Sequence, residues 1–125
     1  MGALYENLRV YKKSFELVAY FENLVRGFDR YHKYTIGSKF RILSSEILVL
    51  IAKANTKCER KQCLEIALDK LEELKILVHI GKEIKAFRSF KNFEFVTRLI
   101  ADVSRQCEGW LRSQNIVGKP PSVVR

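Results

Sequence analysis

Apolar residues recur along the chain at steps of three, four and seven, the spacing that lines one face of an α-helix. In the first segment Leu8, Tyr11, Phe15, Val18, Val25 and Phe28 keep the period, and Leu17, Phe21 and Leu24 widen the stripe. The second segment carries Ile36, Phe40, Leu43, Ile47, Leu50, Ile51 and Ala54. The third carries Leu64, Ala67, Leu71, Leu74 and Val78, flanked by Leu68, Leu77 and Ile80. The fourth carries Phe93, Val96, Ile100, Val103, Cys107 and Trp110. The run "ILVLIA" would suit a buried strand in isolation, but its flanks continue the helical period, so a helix is expected. Polar breaks separate the segments at "GFDRYHKYT", "ANTKC" and "KAFRSFKN". The two prolines, Pro120 and Pro121, both lie in the tail, which leaves the preceding segments free to form long helices. Short links between long amphipathic helices place neighbours antiparallel. The pattern predicts an all-α protein, a single up-down-up-down four-helix bundle over residues 1–115, followed by a flexible basic tail over 116–125.

Length and composition agree with one domain. A chain of 125 residues buries roughly two thirds of its unfolded surface without disulfides or metals. Its three cysteines, Cys58, Cys63 and Cys107, are irregularly spaced, and His32 and His79 stand apart. Neither a disulfide framework nor a zinc site is expected from that spacing. Gly37 and Gly81 are isolated, so no glycine-rich phosphate loop is formed, and no HExxH or paired ExxH motif occurs. Ser44 and Ser45 have no His or Asp near them in sequence. No catalytic residues, metal or cofactor are therefore expected, and a binding role is favoured over an enzymatic one. The start "MGALYENLRVYKK" lacks a secretory pattern, and the longest apolar run, Ile47 to Ala52, is too short to span a bilayer. A cytoplasmic protein without a membrane partner is expected.

Charge changes the picture. The net charge is +9, which bears on partners more than on fold. One basic series is conspicuous: Lys91, Arg98, Arg105 and Arg112 repeat every seven residues along the outer line of the fourth segment. Glu94, Asp102 and Glu108 precede the three arginines by three or four residues, the favourable order for helix ion pairs, so this line reads as a neutralised wet face. The unmatched charge lies elsewhere. In an up-down bundle the first and third links share one pole. Residues 26–41 and 82–91 together hold nine cations and two carboxylates, a net +7 of the chain's +9. Phe28, Tyr31, Tyr34, Phe40, Phe87 and Phe90 gather there too, and about half of these rings are expected to pack into the core. Cations interleaved with aromatics suit nucleic acid whose bases are unpaired. The nucleic-acid-binding residues expected from this are Arg30, Lys33, Lys39, Arg41, Lys82, Lys85, Arg88 and Lys91, with Lys75 and His79 aligned on the third helix at helical spacing from Lys82. Two further residues are given structural roles: Gly109 is expected to admit a close helix neighbour, and Trp110 to fill the bundle end. Val10, Leu17 and Leu24 extend the apolar face of the first helix, which points to a subunit contact.

"YTIGSKFRILSSEILVLIAKAN", "ELKILVHIGKEIKAFRSFKNFEFV" and "LIADVSRQCEGWLRS" resemble the accessory variability determinant proteins of diversity-generating retroelements. The most specific features are the spacing of Gly37 and Arg41 and the pattern formed by Asp102, Arg105, Gly109 and Trp110. These proteins are similar to four-helix bundles encoded in intervening sequences of the large ribosomal RNA. That sister group usually carries Ser-Ile-Pro-x-Asn-Ile-Ala-Glu-Gly, whereas "SSEILVLIAKAN" has no proline and no terminal Glu-Gly. The retroelement group usually has Gly-Gly-Trp where this chain has Glu108, Gly109 and Trp110. The resemblance implies a non-enzymatic basic homo-oligomer, pentameric in relatives, that binds a reverse transcriptase and its template RNA, or an RNA–DNA hybrid, during mutagenic copying. It also implies a role for Lys75 and His79, the latter standing where arginine is common, so that its contribution would depend on pH. The alternatives are an RNA-binding bundle of the intervening-sequence type and a plain protein-interaction module.

Overall fold

A computed structural model describes residues 8–56 and 59–118, with side chains to residue 114. Four long helices form as the periodicity predicts, α1 (Arg9–Arg26), α3 (Ile36–Thr56), α4 (Arg60–Glu83) and α5 (Phe90–Gly118). A short helix, α2 (Arg30–Tyr34), lies within the link expected to be irregular. Its cause is local: the Asp29 side chain accepts the His32 amide at 3.0 Å and so caps the first turn. The described residues contain no strand.

Helix α1 packs on α3, α3 on α4, α4 on α5 and α5 back on α1. The core lies inside that ring, with Leu17, Phe21, Phe40, Ile47, Ile51, Leu64, Leu71, Leu74, Val96 and Ile100 essentially inaccessible. Each such side chain contributes roughly 1.5–3 kcal/mol by leaving water. Polar contacts join the neighbours. Tyr20 late in α1 donates to Asn92 early in α5 at 3.1 Å. Glu22 late in α1 accepts from Arg41 early in α3, and Glu46 of α3 meets Lys70 of α4 at 3.1 Å. At one end Arg60 donates to the Ala54 carbonyl at 2.7 Å and to Gln114 at 2.7 Å, so the close of α3, the start of α4 and the last part of α5 meet there.

Three expectations need correction. In α1 the buried line is Val10, Ser14, Leu17, Phe21 and Val25, whereas Phe15, expected in the stripe, is 51% exposed. Buried Ser14 hid the true register, because a polar residue interrupts the apolar pattern at a core position. Val10 and Leu17 are thus spent in the chain's own core and offer no subunit face. Second, α5 runs to Gly118, three residues past the expected boundary of the bundle, and the rest of the tail lies outside the described residues. Third, no helix among the described residues approaches Gly109: among those residues a Cβ there would meet only the Arg112 Nη2 atom, at 3.9 Å. The close approach is at Gly37, where a Cβ would lie 2.7 Å from Val25 Cγ1 and 2.9 Å from the His32 carbonyl oxygen. Trp110 is half-buried, with the Arg60 guanidinium 5.4 Å from its ring centre. No helix among the described residues is long and apolar enough to cross a membrane.

Candidate nucleic-acid interface

The two links expected to share a pole do meet. Helix α1 closes on Gly27, whose amide reaches the Leu24 carbonyl. Asp29 then starts α2, and Thr35 ends it with its hydroxyl on the Tyr31 carbonyl at 2.8 Å. Gly37 lets the first turn of α3 seat against Val25 and Phe28. On the other side α4 ends at Glu83, and Lys85 takes a left-handed conformation with φ 63°. That turn lets the Ala86 amide reach the Gly81 carbonyl at 2.9 Å and buries Ala86. The Ser89 hydroxyl accepts the Asn92 amide at 3.2 Å and opens α5. The Arg88 Nε atom donates to the Gly27 carbonyl at 2.5 Å, which joins the two links directly.

The ten expected contact residues are therefore not equivalent. Arg30, Lys39, Lys82, Lys85 and Lys91 are exposed around this pole. Arg88 is exposed as well, but its guanidinium is partly committed to Gly27. Lys33 and Arg41 line a hollow with Glu22, Val25, Arg26 and Tyr34. Arg41 Nε lies 3.1 Å from each Glu22 carboxylate oxygen, so a carboxylate just outside the counted segments offsets part of its charge. Lys75 lies further down α4 and pairs with Glu72 at 3.6 Å. His79 Nδ1 is 3.0 Å from the Lys75 carbonyl. A carbonyl can only accept, so Nδ1 carries the proton in this contact. The carboxylate of Asp29, bonded to the His32 amide and ring, titrates below the ordinary carboxylate range.

The six aromatic residues divide evenly. Phe28 and Phe40 are buried and Phe87 is half-buried. Tyr31, Tyr34 and Phe90 are exposed, at 71%, 69% and 60%. Sequence reasoning missed the residue that connects the two sets. Phe93, read only as a core position, has Lys82 Nζ 5.1 Å from its ring centre, His79 against its edge at 5.5 Å, and both Phe87 and Phe90 as ring neighbours. Arg26 was also absent from the expected contacts. Its position as the last residue of the first helix, directly before the charged link, is the available signal.

Lys91, Arg98, Arg105 and Arg112 are exposed as expected. Only one of the three anticipated pairs forms among the described residues, Arg105 with Asp102. Arg98 and Arg112 have no carboxylate at ion-pairing distance among those residues. The line is therefore less neutralised than its sequence implies, and Lys91 and Arg98 border a hollow with Tyr20, Asn92, Glu94 and Phe95. Behind the line, burial raises the Cys107 thiol to about 12, which makes it a core atom and not a nucleophile. Comparison of the chain with models of known protein families and with curated proteins gives no match.

Proposed function

We propose that the protein is a non-enzymatic, RNA-binding up-down-up-down four-helix bundle that serves as an accessory factor of a retroelement reverse transcriptase. The observation that carries the RNA-binding part is the junction of the two links. Arg88 joins them, exposed cations surround them, and three exposed rings stand among the cations. Such a surface neutralises phosphates and offers ring faces to bases. The up-down topology is supported by the polar contacts, which pair late α1 with early α5, late α1 with early α3, and the start of α4 with late α5. The polymerase partner, and template RNA or RNA–DNA hybrid as cargo, rest on the sequence resemblance alone. A reverse transcriptase gene beside this one, and co-purification of the two products, would separate this reading from that of a ribosomal intervening-sequence protein.

Assembly into a homo-oligomer, a pentamer by resemblance, is part of the proposal. Its support moves from α1 to the outer faces of α3 and α4, where Ile42, Val49, Ile76 and Ile80 are each more than two-fifths exposed.

The test of RNA binding is affinity for a structured RNA across a salt series. Arg88 is left intact because it also holds the links together. Changing Lys82, Lys85 and Lys91 to Gln is expected to reduce the log–log salt slope by about 2, the share of three phosphate contacts on a single strand. Changing Arg105 alone should leave the slope nearly unchanged, since Asp102 already holds it. Retention of full affinity and slope by the triple variant would remove the pole as the binding surface.

A further inference from the structure

We infer that the hollow between the end of α1, α2 and the first turns of α3 seats one unpaired nucleotide of an RNA strand, its phosphate among Arg26, Lys33 and Arg41 and its base against Tyr34. The inference rests on the RNA-binding reading above and specifies the form of nucleic acid recognised. Three of the six lining residues are cations and one, Glu22, is a carboxylate. Glu22 turns both oxygens to Arg41 Nε, at 3.1 Å each. Both terminal nitrogens of that guanidinium lack a partner among the described residues and remain available as a planar fork for a phosphate. Arg26 and Lys33 have no carboxylate partner among the described residues. Asp29, the acid nearest to them in sequence, is engaged by His32.

Tyr34 supplies the second half of the site. Its ring lines the hollow yet is 69% exposed, so it contributes little to the core. Among the described residues it has no ring partner, and its hydroxyl makes no hydrogen bond. An uncommitted ring beside three cations matches a base attached to its phosphate. In a duplex the base faces are covered by their neighbours, and the A-form major groove is too deep and narrow for side chains to read. The ring therefore rewards only an unpaired base, whereas the cations alone would not discriminate.

The experiment measures affinity, by fluorescence anisotropy, for a single-stranded RNA and for a fully paired RNA of the same length. The unmodified protein is expected to prefer the single strand. Tyr34→Ala is expected to weaken single-strand binding about tenfold, the loss of one stacked base, and to leave duplex binding unchanged. Tyr34→Phe should retain the preference, because the ring and not the hydroxyl does the stacking. Arg26→Gln with Lys33→Gln should lower the single-strand salt slope by about 0.7, the share of one phosphate contact. Circular dichroism of each variant confirms that the helices are intact. Equal affinity for the two RNAs, or a Tyr34→Ala variant that weakens both alike or neither, overturns the inference while leaving RNA binding in place. Failure to bind either RNA overturns the RNA-binding reading and this inference with it.

Discussion

Gly37 and Gly109 look alike in sequence, each a lone glycine in a helix, yet they stand in opposite surroundings. A Cβ at Gly37 would collide with Val25 and with the His32 carbonyl, and a backbone carbonyl cannot swing aside. Gly37→Ala is therefore expected to cost about 1–3 kcal/mol, the usual penalty of overpacking. Gly109→Ala meets open space and replaces a poor helix former, so it should stabilise by roughly 0.5–1 kcal/mol. Paired thermal melts of the two variants check the signs, and a destabilised Gly109→Ala would show that something packs there after all. Trp110 belongs to the same comparison. Sequence placed it inside, where truncation would cost 3–5 kcal/mol. Half-buried beneath Arg60, it should instead lose about 2 kcal/mol on change to Ala, read from denaturant melts. Periodicity reports which face of a helix is apolar, but not which small residue another side chain will press against. That is why the register of α1, where Ser14 occupies a core position, was misjudged while the strictly repeating α5 was not.

Among the elements, α2 was invisible in the pattern because five residues are too few to show a helical period. The capping aspartate is what makes it a helix, and Asp29→Ala is expected to destabilise α2 by leaving the His32 amide uncapped. The carboxylate is bound by the His32 amide and titrates below its ordinary range. Its folded form thus binds a proton less readily than its unfolded form. The contribution is complete above the ordinary carboxylate range and is lost as pH falls through the lowered value. Acid titration followed by the amide signals of residues 30–34 should show α2 fraying there, and Asp29→Asn should remove that pH dependence. The connection into α5 was equally hard to foresee. Lys85 in the left-handed region is a place where Gly would fit more easily, and only the pull of Ala86 into the core accounts for it. The four long helices were legible because each extends over enough turns to repeat its pattern. The ion pairs of α5 were less so, since acid-first spacing permits a pair without requiring that both side chains turn toward each other.

For the whole molecule, the placement of charge was the most legible property. It needed only two links to meet, and Arg88 on the Gly27 carbonyl joins them. The roles of single cations were not legible, because Arg41 and Arg88 each found a partner whose position depends on the fold. Assembly follows a similar course. If α3 and α4 meet other copies, the native protein should sediment as more than a dimer. Ile42→Glu with Val49→Glu should then shift it toward a single chain while preserving its helicity. A single-chain mass for the unmodified protein at micromolar concentration would remove the assembly proposal.

Phe93 has a further use. Its ring has an ammonium, an imidazole and the rings of Phe87 and Phe90 as neighbours. Aromatic rings shift the magnetic resonance frequencies of nuclei above and beside them, and the size of the shift falls steeply with distance. The ring protons of Phe93 and the ε-methylene protons of Lys82 should therefore resonate away from their usual positions in the free protein. An anion that draws Lys82 from the ring face would return them toward normal. One buried phenylalanine would then act as a built-in spectroscopic gauge of whether this end of the molecule is occupied, without any label being attached to it.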